Sequence, residues 1–270
     1  MTRLTESDVR SLSAALPALD ASLRETTGLT LRDVAMRGIS NEPACVPLYG
    51  ARIAAVPIST GDGFIPGFCE CVVAILEHLG CDAWVTGNSD VRGIQDAVDD
   101  GAHVLYLADD HRFVALNVRN GVCVDDDPAT ADGYVTLLDA AAGGLMDRPV
   151  LLLGLGPVGL AASRRLLKSG AEVCVVEPDE ARLRAATDAQ LPLRPVTLRE
   201  GLERCRLVFD ACPAADLIDV EQVGPDTIAA VPGIPSAFTE AARAELGGRH
   251  IHEPLAVGVT VMAARALATL

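Results

Sequence analysis

The strongest constraint on the fold of this chain is an apolar strand that leads into a glycine-rich turn and a helix. The stretch VLLLGLGPVGLAASRRLL, residues 150–167, places Gly154, Gly156 and Gly159 in a G-x-G-x-x-G pattern. Glu177 follows at the end of the next apolar stretch, at the distance expected for the acidic partner of this motif. A β-α-β unit with these features is the fingerprint of a dinucleotide-binding domain. The sequence therefore predicts a Rossmann-type domain that binds NAD.

The residues of this loop have separate physical roles. Gly154 permits the tight turn, Gly156 lets the backbone approach the pyrophosphate, and Gly159 lets the helix pack against the strand. The amides at the start of the helix then face the phosphates. The predicted cofactor loop comprises Gly154, Leu155, Gly156, Pro157, Val158 and Gly159. Glu177 at the ribose favours NAD over NADP, whereas the nearby Arg182 would favour NADP.

Strand and helix patterns alternate along most of the chain. The strand candidates are RIAAVPIS, AWVTG and HVLYLAD, then PVLLLGLG, EVCVVEP, RLVFDAC, TIAAVPG and HIHEP. FVALNVRNGVCV predicts a hairpin with Asn120-Gly121 as its turn, and residues 131–145 predict a linking helix. Repeated β-α-β units predict parallel sheets covered by helices on both faces.

The predicted fold class is therefore α/β, in two domains. Residues 1–147 form an N-terminal helix and an α/β substrate-binding domain, and residues 148–270 form a Rossmann-type doubly wound parallel sheet. The N-terminal helix is predicted over residues 5–25. The apolar C-terminal stretch VGVTVMAARALATL predicts a helix that packs on the other domain or on a partner subunit.

Charge and composition argue against several classes of function. The net charge is −15 and Lys168 is the only lysine, so the basic surface of a nucleic-acid-binding protein is absent. A single lysine also argues against a P-loop and leaves few candidates for Schiff-base catalysis. The polar N-terminus is unlike a signal peptide, and the longest apolar run is too short to span a bilayer. We expect a soluble cytoplasmic protein without nucleic-acid or membrane partners, whose acidity favours a cationic small molecule.

Residues that follow the predicted strands are the candidates for ligand contacts, because ligands of such sheets bind beyond the carboxyl ends of the strands. The candidates are Ser59, Thr60, Asp109 and Asp110 on the substrate side, and Cys212, Pro213, Pro232 and Gly233 on the nicotinamide side. Asp109 could hold an ammonium group, or take its proton while hydride leaves the adjacent carbon. The alternative is that Asp109 and Asp110 cap the turn that continues through His111 and Arg112.

Three further features leave alternatives open. ISTGDGFIPGF, residues 58–68, has the glycines of a phosphate loop but no following lysine, and its aromatic residues suit an apolar ligand wall. His250 and His252 share a strand face next to Glu253, so a metal site is an alternative to a partly exposed strand. The eight cysteines, including the pair Cys69-x-Cys71, lack metal-binding spacing and predict free thiols. We expect no metal cofactor.

Several long patches resemble one family of enzymes. They are VPISTGDGFIPGF, GIQDAVDDGAHVLYLADDHRFVALNVRNG, LLLGLGPVGLAA, DACPAAD, PGIPSAF and HEPLAVGVTVM. On these residues the chain resembles the PylD family, the dehydrogenases that close the ring in the last step of pyrrolysine biosynthesis. The resemblance implies an N-terminal substrate-binding part, a C-terminal Rossmann part and a homodimer. It also implies NAD-dependent oxidation of the terminal amine carbon of lysine-Nε-3-methyl-D-ornithine, followed by ring closure with loss of ammonia.

The resemblance also assigns substrate contacts by position. Leu4 matches a residue that helps to cover the substrate, Phe68 an apolar wall residue, Asp109 an acidic residue that binds the reacting amine, and Asn117 a polar position near the site. With Asp109 as the catalytic residue, the predicted substrate-binding set is Leu4, Ser59, Thr60, Phe68, Asp110 and Asn117.

The chain departs from the family pattern at two places, which affects the polar contacts of the substrate. It has ADDHRF where ADDNTF is family-like, and three aspartates at residues 125–127 where amides are common. Two alternative functions stay open. One is another NAD-dependent oxidoreductase that acts on an ornithine-like diamine acid, and the other is a non-catalytic NAD-sensing module.

Overall fold

Two β-sheets covered by helices make up the computed structural model, which describes residues 6–38, 47–61 and 65–268. The first half contains α1 (Glu6–Thr27), α2 (Leu31–Arg37), β1 (Arg52–Val56), α3 (Phe68–His78), β2 (Asp82–Val85), α4 (Asp90–Asp99), β3 (Val104–Ala108), β4 (Phe113–Asn117), β5 (Cys123–Asp125) and α5 (Asp126–Ala142). The second half contains β6 (Pro149–Leu153), α6 (Pro157–Lys168), β7 (Glu172–Val176), α7 (Glu180–Asp188), β8 (Arg194–Pro195), α8 (Leu198–Arg204), β9 (Leu207–Asp210), β10 (Ile228–Ala230), α9 (Glu240–Leu246), β11 (His250–Ile251) and α10 (Ala256–Leu267). Within these ranges no helix is both long and apolar enough to cross a membrane.

The first sheet has the strand order β2-β1-β3-β4-β5. Strand β1 is parallel to β2 and β3, whereas β4 is antiparallel to β3 and to β5. Strands β1, β2, β3 and β5 therefore all end at the same side of the sheet. We call this side the first edge. It comprises residues 57–61, 86–90, 109–112 and 125–127.

The second sheet is entirely parallel and has the order β11-β10-β9-β6-β7-β8. Counted from β6, this is the strand order of a dinucleotide-binding fold. Strands β6 and β9 are buried almost throughout, as expected for strands covered on both faces. We call its carboxyl side the second edge. It comprises residues 154–156, 177–179, 211–213, 231–235 and 252–254.

The linking helix α5 begins at Asp126, whereas the sequence predicted a start at residue 131. The Asp125 side chain is its N-cap and accepts a hydrogen bond from the Asp127 amide at 3.1 Å. The composition of residues 125–128, three aspartates and a proline, is typical of a loop. Acidic residues nevertheless favour the first helical turn, and proline is tolerated there. The longer helix brings Asp126 to the first edge.

The C-terminal helix α10 packs against the first half of the chain. It contacts α2, α3, α5 and β4. The sequence predicted packing on the other domain or on a partner subunit, and these contacts are with the other domain. The contact with α5 is close because both helices have glycines there. A Cβ atom at Gly133 would lie 2.5 Å from Cγ1 of Val257. The domain division at residues 147 and 148 stays a prediction.

A buried tyrosine fixes the point where the chain leaves the second sheet for α10. The Tyr134 hydroxyl, on α5, donates to the carbonyl of Glu253 and accepts a hydrogen bond from the Glu253 amide. The Glu253 carboxylate accepts hydrogen bonds from the amides of Leu255 at 2.8 Å and Val257 at 3.1 Å. Tyr134 therefore orients the residue that caps the start of α10.

Replacement of Tyr134 by phenylalanine is expected to destabilise the protein by about 1–3 kcal/mol, because it leaves buried backbone groups of Glu253 unpaired. Chemical denaturation of the purified variant measures this change. Tyr49→Phe is the matched control, since Tyr49 is 82% exposed whereas Tyr134 is 1% exposed. Equal stability of the two variants would contradict the proposed importance of the Tyr134 hydroxyl.

Candidate active site

The turn between β6 and α6 has the geometry of a dinucleotide-binding loop. Gly154 has a φ of +87°, a left-handed conformation that favours glycine. A Cβ atom at Gly159 would lie 2.1 Å from the carbonyl oxygen of Gly154, so the helix can approach the turn only with glycine there. Apart from Gly156 itself and its two chain neighbours, no described residue has an atom within 4 Å of the corresponding position at Gly156. The backbone at Gly156 is therefore open to a ligand.

The start of α6 suits a phosphate group. Gly156 is the N-cap and supplies no side-chain hydrogen bond, Pro157 follows as the first helical residue, and the first turn has no acidic residue. A helix N-terminus without a side-chain cap presents amide donors and the positive end of the helix dipole. Leu155 is buried and Val158 half-buried beside these glycines. The loop thus fits the pyrophosphate of NAD.

The Glu177 carboxylate closes the other side of the loop. It is buried, and it accepts hydrogen bonds from the Leu155 amide at 2.6 Å and the Asp179 amide at 2.9 Å. Nη1 of Arg182 lies 3.5 Å from Oε2 of Glu177. The carboxylate therefore reaches the glycine loop, where the ribose of a bound dinucleotide lies, and a guanidinium balances part of its charge.

Of the two predicted nicotinamide-side loops, the one with Cys212 packs against the glycine loop, and the one with Gly233 packs against the Cys212 loop. A Cβ atom at Gly154 would lie 2.9 Å from the carbonyl oxygen of Ala211, and one at Gly233 would lie 2.9 Å from that of Cys212. Pro213 and Pro232 are the neighbours of these residues in the two loops. The structure thus gathers Gly154, Cys212 and Gly233 at the second edge.

Asp210 holds these loops together, a role that the sequence did not reveal. It is fully buried, and its carboxylate accepts hydrogen bonds from the Ala237 amide at 2.7 Å and the Cys212 amide at 3.2 Å. Burial raises the pKa of Asp210. Burial, together with the Asp210 charge, raises the pKa of the Cys212 thiol to about 12. Cys212 is therefore a neutral thiol and a poor nucleophile.

At the first edge, Ser59 joins the end of β1 to the start of α4. Its hydroxyl and its amide donate to the two carboxylate oxygens of Asp90, at 2.6 Å and 2.8 Å. These hydrogen bonds lower the pKa of Asp90. Thr60 beside it is exposed, and a Cβ atom at Gly61 would lie 2.3 Å from Oδ2 of Asp110. The loops after β1 and β3 therefore touch. Residues 62–64 lie outside the described residues.

Asp109 caps the turn between β3 and β4. Its Oδ1 accepts hydrogen bonds from the amides of His111 and Arg112, both at 2.7 Å. These amides lower the pKa of Asp109, which is exposed. The turn-capping alternative for Asp109 is therefore present in the structure. The same geometry favours the charged form of this carboxylate at the first edge.

An aromatic cluster lies beneath this turn. The ring of Phe68, at the start of α3, meets the ring of Phe113 edge to face at 5.2 Å. Phe113 in turn packs against Tyr106 at 5.8 Å. Phe68 is half-buried, whereas Phe113 is buried. The predicted apolar wall residue is thus next to the turn that carries Asp109 and Asp110.

The structure does not bring Asn117 to this place. Asn117 ends β4, opposite Val104 at the other end of β3, and it is buried. Its side-chain amide donates to the carbonyl of Ala266 at 2.7 Å, and its oxygen accepts from the Arg119 amide at 2.9 Å. These contacts hold the hairpin to α10. Leu4 lies outside the described residues.

Asp126 joins the first edge, although the sequence indicated no site role for it. A small cleft at this edge is lined by His111, Arg112, Phe113, Asp125, Asp126 and Asp127. Oδ1 of Asp126 accepts a hydrogen bond from the Thr130 hydroxyl at 3.0 Å. Burial, with the neighbouring carboxylates as a smaller contribution, raises the pKa of Asp126 to about 7. Its position was missed because α5 begins earlier than its pattern suggested.

The two histidines for which a metal site was an alternative, His250 and His252, contact other groups in the structure. His250 Nε2 lies 3.2 Å from the Ser236 hydroxyl, and His252 Nδ1 lies 2.7 Å from the carbonyl of Val231. Glu253 caps α10 instead of pointing to either ring. In the described ranges no three His, Cys, Asp or Glu side chains come together as metal ligands would.

Comparison with known proteins gives relatives along the whole chain. A family model described as "Pyrrolysine biosynthesis protein PylD, N-terminal domain" matches residues 8–124, and a model of NAD(P)-binding domains matches residues 143–219. Pyrrolysine synthase from Methanosarcina acetivorans is 30% identical over 262 residues, covering 97% of this chain and 98% of that protein. Pyrrolysine synthase from Methanosarcina barkeri is 29% identical over 269 residues, covering 97% of each.

Among solved structures, quinate dehydrogenase from Corynebacterium glutamicum in complex with NAD has a TM-score of 0.51 and 15% identity, covering 82% of this chain and 94% of that chain. At this identity the likeness shows the fold alone. Together with the strand order and the family models, it confirms the predicted α/β fold with a Rossmann-type second half. The prediction of NAD as cofactor is confirmed by the NAD(P)-binding match and the loop that it covers.

Gly156→Ala is expected to weaken NAD binding at least tenfold, about 1.4 kcal/mol, without lowering Tm. Its methyl group has room in the free protein but stands where the pyrophosphate must approach. Gly159→Ala should instead lower Tm by several degrees, because overpacking typically costs about 1–3 kcal/mol. Titration calorimetry with NAD and thermal unfolding measure the two effects. Unchanged NAD affinity in Gly156→Ala would contradict the assigned loop.

Proposed function

Because the chain belongs to the pyrrolysine synthase (PylD) family, we propose that it forms L-pyrrolysine from L-lysine-Nε-3-methyl-D-ornithine. In this reaction the terminal amine carbon of the ornithine part is oxidised. Its α-amine then attacks the oxidised carbon, ammonia leaves and the pyrroline ring closes. When bound, NAD accepts the hydride from the terminal carbon.

The reaction sets two demands on the protein. The terminal ammonium must lose a proton before the carbon beside it can release hydride, so the site needs a proton acceptor. The α-amine and the oxidised carbon belong to one molecule and must be held together, so the site needs a wall that folds the substrate. Carboxylates that stay charged also attract a cationic substrate and strengthen its binding.

The cofactor is assigned to the second edge. The loop from Gly154 to Gly159 binds the pyrophosphate through backbone amides, and Glu177 accepts hydrogen bonds from the ribose hydroxyls. The loops with Cys212, Pro213, Pro232 and Gly233 line the nicotinamide side. Glu177 is aligned for this task by the Leu155 amide, so it needs little rearrangement on binding.

The substrate is assigned to the first edge. The observation that carries the proposal is the juxtaposition there of two carboxylates and an aromatic wall, namely the turn of Asp109 and Asp110 above the Phe68–Phe113 pair. Asp109 is the counter-ion of the reacting ammonium, since its lowered pKa keeps it charged but makes it a weak base. Ser59 and Thr60 border the same edge. Asn117 is left out of the proposed site because its side chain is engaged at the opposite end of β3.

The direct test is the reaction of the purified full-length chain with NAD and the lysine–methylornithine conjugate. We expect NADH and ammonia in equal amounts, and a product with the mass of pyrrolysine. Ornithine and lysine are the control substrates. Oxidation of ornithine but not of the conjugate would favour a different diamine-acid oxidoreductase, and NAD binding without turnover of any amine would contradict the proposal.

Asp109→Asn is expected to raise the KM for the conjugate at least tenfold while NAD affinity and Tm stay the same. The amide oxygen of asparagine can still accept hydrogen bonds from His111 and Arg112, so the turn is kept and only the charge is lost. Steady-state kinetics and NAD titration measure these effects. An unchanged KM would show that Asp109 serves only the turn.

Glu177→Ala is expected to weaken NAD binding roughly ten- to hundredfold, about 1.4–2.8 kcal/mol. NADP binding should weaken less, because the carboxylate that repels a 2′-phosphate is gone while Arg182 remains. Parallel titrations with the two cofactors give the ratio. Equal losses for NAD and NADP would mean that Glu177 mainly orders the loop.

We also propose a cytoplasmic homodimer, which the family resemblance and the composition favour. Sedimentation of the purified chain tests its oligomeric state. A monomer at micromolar concentration would contradict it.

A further inference from the structure

A histidine ring at the second edge takes the place of a main-chain hydrogen bond. Strands β10 and β11 are parallel, and the Val231 amide donates to the carbonyl of Ile251 at 2.9 Å. The next bond of a regular ladder would join the Glu253 amide to the Val231 carbonyl, but that amide donates to Tyr134. The Val231 carbonyl instead lies 2.7 Å from Nδ1 of His252. The imidazole is thereby fixed at the end of β10.

This hydrogen bond determines which ring nitrogen of His252 carries the hydrogen. A carbonyl oxygen can only accept, so Nδ1 is the donor. The neutral ring then has its lone pair on Nε2. His252 is exposed, and among the described residues its Nε2 has no hydrogen-bond partner. The ring is thus held through one nitrogen and offers the other as a proton acceptor.

The ring belongs to the part of the second edge that is assigned to the nicotinamide. Val231, which accepts its hydrogen bond, lies two residues before Gly233. The Gly233 amide donates to the carbonyl of Asp210 at 3.1 Å. The Asp210 carboxylate in turn accepts the Cys212 amide at 3.2 Å. Main-chain hydrogen bonds therefore connect the position of His252 to both loops of the nicotinamide side.

Hydride transfer sets a geometric condition on the base. The carbon that loses hydride must contact the nicotinamide ring, and the reacting nitrogen is one bond away from that carbon. A base for this nitrogen therefore has to reach the nicotinamide side of the second edge, whereas a counter-ion can approach from the first edge. His252 is at the second edge and Asp109 is at the first.

We propose that His252 is the catalytic base that takes a proton from the terminal ammonium of the substrate through Nε2. This inference rests on the proposed function. An N–H bond of the ammonium breaks, an Nε2–H bond forms, and the nitrogen lone pair then supports loss of hydride from the adjacent carbon. After the α-amine attacks, the imidazolium returns the proton to the terminal nitrogen, which leaves as ammonia. The attacking amine releases its two protons to water as the C=N bond of the ring forms.

The titratable and charged groups around the ring come from several elements. They are Asp210 and Cys212 at the end of β9, His250 on β11, Arg243 on α9, and Glu253 with its partner Tyr134. Burial raises the pKa of Asp210, and the charge of His252 acts in the opposite direction. An imidazolium at His252 therefore lies near a group of opposite charge, and the two attract each other.

Three other groups are less suited to accept the proton. Nε2 of His250 lies 3.2 Å from the Ser236 hydroxyl, and burial, with His252 as a smaller contribution, lowers the pKa of His250 to about 4. Asp109 has a lowered pKa because it accepts two amides of its turn. His111 belongs to that same turn at the first edge. His252 is the histidine that lies beside the nicotinamide loops.

His252→Asn tests the proposal by kinetics. The amide nitrogen of asparagine can still donate to the Val231 carbonyl, so the variant loses Nε2 but keeps the hydrogen bond of Nδ1. We expect kcat to fall about 100- to 10,000-fold, the usual contribution of a general base, with NAD affinity and Tm unchanged. The acidic limb of the pH profile of kcat/KM should disappear. Full activity of His252→Asn would overturn the proposal.

Two further variants serve as comparisons. His103→Asn is the control, because His103 lies at the amino end of β3, remote from either edge, and its activity should be unchanged. His111→Asn tests the histidine of the first edge. A larger loss of kcat in His111→Asn than in His252→Asn would place the base at the first edge and overturn the proposal.

Chemical rescue separates a chemical role from a structural one. In His252→Ala the ring is missing from an exposed position, which free imidazole can enter. We expect kcat of this variant to rise with the concentration of added imidazole, while the unmodified enzyme shows no rise. A loss of activity that imidazole does not reverse would contradict the assignment of Nε2 as the base.

Nuclear magnetic resonance of the ring nitrogens gives a readout that needs no turnover. The His252 signals are identified by their absence in His252→Asn. Addition of the conjugate to the enzyme with NADH, which cannot accept hydride, should shift the Nε2 signal of His252 and leave that of His103 in place. An unmoved His252 signal in the saturated complex would show that its ring does not touch the substrate, which would overturn the proposal.

The two proposals fail in different ways. If the unmodified enzyme neither binds nor oxidises the conjugate in calorimetry and NADH assays, the proposed function is wrong and the role of His252 falls with it. If the unmodified enzyme is active and His252→Asn is equally active, only the role of His252 is wrong.

Discussion

The hydrogen bonds between Tyr134 and Glu253 fix the position of the segment between the second sheet and α10, and the rest of the structure depends on that position. Here the chain leaves the Rossmann sheet and returns as α10 to the first half. The tyrosine hydroxyl satisfies a buried carbonyl and a buried amide of the same residue, and the Glu253 side chain then caps the helix. Small residues complete the contact, since Gly133 and Gly258 let α5 and α10 approach. Because α5 starts at the first edge and contacts Glu253 at the second, this packing fixes both sides of the candidate site.

The carboxylates around this site show how one residue type acquires different properties. Asp109 is exposed and accepts two backbone amides, so its pKa is lowered. Asp126 and Glu253 are enclosed by helices, so burial raises the pKa of each to about 7. Pairs of carboxyl groups whose environments separate their pKa values are typical of acid–base sites. The geometry thus separates a carboxylate with a lowered pKa from two carboxyl groups whose pKa is raised to about 7.

The local patterns of the sequence predicted the second half well. The apolar strand, the three glycines and Glu177 lie within one β-α-β unit. The shape of such a unit is set by residues that are close together in the sequence. Strand β8 was missed because two residues, one of them proline, give no strand pattern. The substrate side was harder. The start of α5 resembled a loop, and Asn117 matched a family position although its amide holds α10 in this chain.

By itself, the sequence determined the α/β class, the dinucleotide loop and the order in which the strands follow each other. These depend on spacing and backbone freedom, which adjacent residues set. Only the tertiary structure decided which carboxylates share a cleft and how each is solvated. Asp126 and Glu253 are far apart in the chain, and their enclosure depends on α10 returning across the first half. Burial and long-range packing are properties of the folded chain, so no local pattern could distinguish Asp126 from Asp109.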